Sequence, residues 1–271
     1  MSPNNRLGTL SVETLSSLVN ARDVYILGLV RDHRFITTRQ IQRLVFWQHA
    51  TVEAGTRASV RVLARLFGHR LIYRLERHIG GTRAGSAAYV WRLDDAGDRL
   101  MRAHSGEANG KRIRELSPSR MFLAHTLAIA EVRVLLEEGA RRADFDLLAV
   151  TTEPHTWRSF PAGYSSEILK PDLHTITASG AYEDHWFIEL DRGTESLPTL
   201  IRKCLVYQAH WASGQEQAQL GVYPRVAWLI EDNHRRALLQ TAIEAEGQLD
   251  PNLFIIDSVQ GFIARCSAET T

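Results

Sequence analysis

The sequence predicts a mixed α/β protein of two domains, a basic helical module followed by an acidic domain of strands and helices. Three observations lead there. At 271 residues the chain is longer than a typical single domain. Its net charge of +1 conceals two halves of opposite sign. Residues 1–120 hold 20 Lys+Arg against 10 Asp+Glu, and the remainder holds 12 against 21. Hydrophobic patterning then gives three helices and a hairpin in the first half, and the order α, three β, α, β, α, β in the second. The expected organisation is a first domain over 1–102, a polar Gly/Ser-rich linker over 103–120 and a second domain over 121–271.

In ARDVYILGLVRDHRF (21–35), Val24, Leu27 and Val30 recur at helical spacing. In FITTRQIQRLVFW (35–47), Thr37 or Thr38 is placed to cap a second helix whose stripe is Ile41, Leu44 and Val45. TRASVRVLARLFGHR (56–70) predicts a third helix that ends at Gly68. Val60, Leu63 and Phe67 are expected on its inner face, and Arg57, Arg61 and Arg65 run along another. LIYRLER (71–77) and AAYVWRL (87–93) read as strands around the turn-rich HIGGTRAGS (78–86), which puts Arg77, His78 and Arg83 on the edges and tip of a hairpin. DDAGDRLM (94–101) closes the domain as a short helix.

Three helices and a basic hairpin form the order of a winged helix, a relative of the helix-turn-helix. Its third helix enters the major groove of double-stranded DNA. No Asp or Glu interleaves with the arginines from 57 to 70, so these like charges repel unless an anion such as phosphate neutralises them. Arg57, Arg61, Arg65, Arg77, His78 and Arg83 are therefore candidate DNA contacts. The same charge pattern also suits a basic half that docks on the acidic half, or a helix that mediates protein contacts.

The second half begins with a strong helix, MFLAHTLAIAEVRVLLEEGARR (121–142). Strands are expected over 145–154, 168–178 and 184–191, then a helix over 196–214 with Pro198 in its first turn. A strand (224–232), a helix (234–247) and a strand (252–257) complete it. In HWFIELD, alternation puts Trp186, Ile188 and Leu190 on one face and His185, Phe187, Glu189 and Asp191 on the other. In LKPDLHT it groups Lys170, Asp172 and His174. If the two strands pair through a turn at Ser179–Gly180, Asp172 comes close to Glu189 and Asp191. Converging carboxylates raise each other's pKa unless a cation compensates, and oxygen ligands of this kind suit Mg²⁺ or Mn²⁺.

Pro171–Asp172 followed by Glu189–Leu190–Asp191 resembles the PD-(D/E)XK nuclease signature, whose fold has the same α-β-β-β-α-β order. The resemblance implies catalytic roles for Asp172 and Glu189, which would be metal ligands, and it makes Glu131, on the preceding helix, an additional ligand. Asp191 stands where the signature has lysine and is counted with Asp172, Glu189 and Lys203 among the candidate catalytic residues. Lys203, in TLIRKCLVYQ, is the candidate for a lysine that has migrated to the next helix, and Lys170 is the second candidate. The chain also resembles the replication-relaxation family of plasmids and integrative elements from about residue 25 to about 245. This likeness rests on GSAAYVWRL, HTLAIAEVRVLLE, EPHTWRSF, LKPDLHTI, WFIELDRGTES with IRKCLVYQ, and GVYPRVAWLI. It implies a DNA-binding protein of a mobile element acting in replication, relaxation or transfer, as a metal-dependent endonuclease or nickase. The alternative is a non-catalytic accessory protein or transcriptional regulator with a degenerate nuclease domain. Implied partners are double-stranded DNA, a relaxase or replication protein of the same element, and a second copy in a homodimer.

Other chemistries are poorly served. The sequence has no phosphate-binding glycine loop ending in Lys-Ser/Thr, no HExxH, no GxSxG and no His-x-His cluster beside a tyrosine. His125 suits the apolar side of its helix as a satisfied core histidine, and Glu153 and His155 suit a turn at Pro154. Arg192 in RGTES is open between a phosphate contact and a neighbour of a helix cap. Two cysteines, Cys204 and Cys266, and no apolar run of about 18 residues predict a cytoplasmic protein with no membrane segment.

Overall fold

The computed structural model describes residues 10–75, 89–106, 118–142, 145–162 and 165–267. The protein is mixed α/β and divides into two compact units, residues 1–134 and 135–271. No described helix is long and apolar enough to cross a membrane.

The N-terminal unit runs α1 (Val12–Ser17), α2 (Ala21–His33), β1 (Ile36–Thr37), α3 (Thr38–Val45), α4 (Val52–Gly68), β2 (Ile72–Arg74), β3 (Val90–Leu93) and α5 (Asp95–His104), and ends within α6 (Arg120–Arg141). Local chemistry sets the helix starts. Asn20 and Asp23 form a reciprocal capping box on α2, and Thr37 and Gln40 form another on α3. Thr51 caps Ala54 N and starts α4 four residues before the apolar pattern begins. The three short strands make an antiparallel sheet in the order β1-β3-β2, with Tyr73 opposite Arg92 and Ile36 opposite Trp91.

The core of this unit gathers Ile26, Leu27, Val30, Ile41, Leu44, Leu63, Leu66, Ile72 and Leu100. Each fully buried aliphatic side chain contributes about 1.5–3 kcal/mol. The inner face of α4 differs from the one expected. Leu63 is buried as expected, but Val60 and Phe67 are 51% and 41% exposed, and Ala58, Ser59, Val62 and Leu66 complete the buried face. The reason is close approach on the side that carries small residues. A Cβ on Gly55 would lie 2.7 Å from the Phe46 carbonyl oxygen, so α4 packs on α3 through its smallest side chains. Gly97 has the same role in α5, where a Cβ would lie 1.9 Å from the Leu71 carbonyl oxygen.

The C-terminal unit holds β4 (Asp146–Thr152), β5 (Arg158–Ala162), β6 (Ser165–Leu169), β7 (Leu173–Ser179), β8 (Tyr182–Asp191), α7 (Leu197–Ala212), α8 (Gln215–Leu220), β9 (Arg225–Ile230), α9 (Asn233–Ala245), β10 (Phe254–Asp257) and α10 (Val259–Ser267). Its five-stranded sheet has the order β10-β9-β8-β7-β4. β10, β9 and β8 are parallel, whereas β8, β7 and β4 are antiparallel. The β7–β8 turn uses Gly180 at φ 59°, a left-handed conformation that suits glycine. Alternation on β8 has the expected faces: Phe187 packs on Tyr207 of α7, and Trp186 on Phe262 of α10.

Four features of this unit depart from the expected order. The β5–β6 hairpin, α8 and α10 were not anticipated. The single strand expected over 168–178 is interrupted at Lys170–Pro171–Asp172, because Pro171 has no N–H for a ladder. Asp172 therefore stands just before β7 and does not share a strand face with Lys170 and His174.

Candidate functional site

Glu189 lies near the C-terminal end of β8 and is 4% exposed. Its side chain faces α7, where Lys203 and Tyr207 are one helical turn apart on the same side. Tyr207 donates its hydroxyl to Glu189 Oε1 at 2.7 Å, and Lys203 Nζ lies 3.5 Å from Oε2. Lys203 also pairs with Glu195 Oε2 at 3.2 Å. Asp172 comes to the same place from the start of β7, its Oδ2 accepting the Leu190 backbone N–H at 2.8 Å. That bond fixes the Asp172 carboxyl on the backbone one residue after Glu189.

The electrostatics follow from this crowding. Burial, with the negative charge of Asp172 behind it, pushes the Glu189 carboxyl up to about 8, and Lys203 and Tyr207 only partly offset the rise. Burial pulls the Lys203 ammonium down, but the carboxylates of Glu189, Glu195 and Asp172 more than reverse this and hold it above its ordinary value. The Tyr207 phenol is raised well above its usual range by burial and by Glu189.

Asp191 takes no part in this group. Its Oδ2 forms an ion pair with Arg235 Nε on α9, and its Oδ1 accepts from Gly193 N at 2.9 Å. Arg235 also donates to the Glu195 carbonyl oxygen at 2.6 Å. Asp191 thus ties the strand end to α9. Glu131 lies in the N-terminal unit, where it pairs with Arg43 and accepts from Gln40 Nε2 at 3.1 Å. Lys170 extends over the Trp157 ring, 4.7 Å from its centroid. The carboxylates that converge are therefore Asp172 and Glu189. Among the described residues no group of three or more His, Cys, Asp and Glu side chains could hold a metal ion.

Sequence reasoning missed Tyr207, Glu195, Arg235 and Thr156. Tyr207 carried a usable signal, since it follows the candidate Lys203 by four residues on a helix. Thr156 donates its hydroxyl to the Pro171 carbonyl oxygen at 2.7 Å and is fully buried, so the EPHTW turn buttresses the residue before Asp172. Cys204, beside Lys203, is buried with its thiol pushed up to about 12 by burial.

The six candidate DNA contacts separate into three groups. Arg57 and Arg61 are exposed on the outer face of α4. Arg65 turns inward: its Nη2 makes a fork on Asp23, at 2.6 and 2.7 Å from the two carboxylate oxygens, and its Nη1 donates to the Leu18 carbonyl oxygen at 3.1 Å. Asp23 is 0% exposed, so Arg65 balances a buried charge. Arg77, His78 and Arg83 lie outside the described residues.

No curated protein and no solved structure matches this chain. Residues 27–226 match the replication-relaxation family, a span that takes in α3, α4, Asp172, Glu189 and Lys203. The chain belongs to the replication-relaxation family.

Proposed function

We propose that the chain binds double-stranded DNA of a mobile genetic element through an N-terminal winged helix and cuts one strand with a PD-(D/E)XK-type C-terminal domain. Family membership already points to replication and relaxation of such elements. The observation that carries the catalytic reading is the meeting of Asp172, just before β7, and Glu189 of β8 beside the Lys203 ammonium of α7.

Two carboxylates form an all-oxygen donor set that fits Mg²⁺ or Mn²⁺, which complete their shell with water. Bound at Asp172 and Glu189, the metal would supply an activated water and charge for the phosphoryl oxygens. The residues of the chain have distinct tasks. Leu190 N–H and the Thr156 turn hold Asp172 in place. Tyr207 fixes the Glu189 rotamer. Lys203, charged at neutral pH, positions and stabilises the negative phosphoryl group, the role of the signature's lysine supplied from a helix. Arg57 and Arg61 hold the duplex through phosphate and base-edge contacts.

One observation favours a second reading. Lys203 and Tyr207 already engage both oxygens of Glu189, and Asp191 is committed to Arg235. On that reading the centre is a structural cluster in which Lys203 and Tyr207 hold Glu189, and the protein is a DNA-binding accessory factor to a relaxase or replication protein. Incubation of supercoiled plasmid with the protein and Mg²⁺ or Mn²⁺ decides between them. Nicked circles that disappear with Asp172→Asn and Glu189→Gln establish the nuclease. DNA binding without nicking under either metal, or nicking that survives both substitutions, refutes it.

A further inference from the structure

We propose that Phe67, Arg74 and Tyr89 form a stacking site for an unpaired nucleobase where the end of α4 meets the β2–β3 pair. Phe67 is 41% exposed and Tyr89 is 44% exposed, an unusual outlay of aromatic surface on one small unit. Between them lies Arg74, itself exposed, with its guanidinium carbon 4.4 Å from the Tyr89 ring centroid and 5.7 Å from that of Phe67. Trp91 stands behind the group and meets each ring edge-on, with centroids 6.1 Å apart in both cases. Trp91 is buried and anchored by its Nε1–H on Thr38 Oγ1 at 2.9 Å, so the rings rest on a fixed support.

The chemistry selects the occupant. A guanidinium stacked on a ring keeps its N–H edges available for phosphate or base acceptors, and Arg74 is stacked in this way. Bases within a duplex stack on one another, so an exposed ring finds a base face only where a base is unpaired. Charge agrees, because Arg57 and Arg61 are exposed on the same helix as Phe67. The ligand class is therefore DNA with unpaired nucleotides next to a duplex, the form that nicking and strand opening create. This inference rests on the DNA-binding reading and goes beyond it by naming the DNA structure preferred.

The test is fluorescence anisotropy of the full chain on three labelled probes: a blunt duplex, the same duplex with a short single-stranded gap, and the gapped duplex with abasic residues in the gap. The expected result is about tenfold tighter binding to the gapped probe than to the blunt one. That preference is lost with the abasic gap and in Tyr89→Ala and Phe67→Ala, is kept in Tyr89→Phe, and blunt-duplex affinity is unchanged throughout. Two variants on different elements guard against misfolding, which thermal melting of each checks. Equal affinity for blunt and gapped probes, or a preference that persists in both alanine variants, overturns the inference and leaves duplex binding standing. Failure to bind any probe removes the DNA-binding reading itself.

Discussion

Arg65 tests whether the arginines of α4 share one role. Arg65→Ala removes the fork on Asp23, a carboxylate with no solvent exposure, together with the bond to the Leu18 carbonyl oxygen. Breaking a buried ion pair from one side costs about 3–5 kcal/mol, because the remaining charge stays desolvated. The Arg65 side chain is 37% exposed, so water enters the space it leaves and the lower end applies. With the lost carbonyl bond, the expected loss is about 3–4 kcal/mol. At about 4 °C per kcal/mol for a unit of this size, the N-terminal unit should melt roughly 12–16 °C earlier. Hydrogen exchange followed by mass spectrometry reads the effect on α2 and α4 separately from the C-terminal unit. Arg61→Ala should move neither quantity by more than about 0.5 kcal/mol, since it lies on the exposed face. Asp23→Asn combined with Arg65→Ala should cost less than the two losses added, because no buried charge is left behind. Arg65→Ala as stable as Arg61→Ala would refute the reasoning and return Arg65 to the set of candidate DNA contacts.

Three further outcomes follow from named contacts. Gly97→Ala drives a Cβ into the Leu71 backbone oxygen and should destabilise the N-terminal unit by about 3 kcal/mol in a thermal melt. His33 is buried with neither ring nitrogen hydrogen-bonded among the described residues, and burial, then the charge of Arg133, push its pKa down to about 3. The unfolded chain takes up this proton below about pH 6.5 and the folded chain does not, so stability is lost as pH falls from about 6.5 toward 3. At pH 5 the loss is about 2 kcal/mol, and a His33→Phe variant should show a shallower acid dependence in urea titrations. Tyr207→Phe takes the hydroxyl from buried Glu189 and should cost about 1–2 kcal/mol, with plasmid nicking reduced and duplex binding unchanged.

What was legible in the sequence is what local pattern encodes. The caps at Thr37 and the break after Gly68 are written in neighbouring residues. The antiparallel β7–β8 pairing followed from alternation and a glycine turn, and it brought Asp172 and Glu189 together. Spacing alone leaves the inner face of α4 ambiguous: positions 60, 63 and 67 fit a helical stripe, but so do 58, 62 and 66, and the close approach at Gly55 favours the second. Partners far along the chain left no local trace. Asp23 lies 42 residues from Arg65, and Asp191 lies 44 from Arg235. Nothing in RVLAR or IELD announces that each charge is already satisfied. The hairpin RSFPA–SSEIL alternates too weakly between apolar and polar residues to register as two strands.

Asp191, which stands where the PD-(D/E)XK signature that the segment resembles has lysine, is held by its own packing. An ammonium at that strand position would face the Arg235 guanidinium, which now pairs with the Asp191 carboxylate, and two cations there would repel. The acidic residue is thus built into the packing of α9 on the strand end, and reversing it would require Arg235 to change as well. On the nuclease reading proposed above, the positive charge beside Asp172 and Glu189 then has to come from another element. Lys203 meets that requirement from α7, one turn before Tyr207, where a single helix face delivers an ammonium to one oxygen of Glu189 and a hydroxyl to the other. The same helix therefore orients the buried carboxylate and balances its charge, so the geometry of the acidic pair depends on the register of α7 against β8.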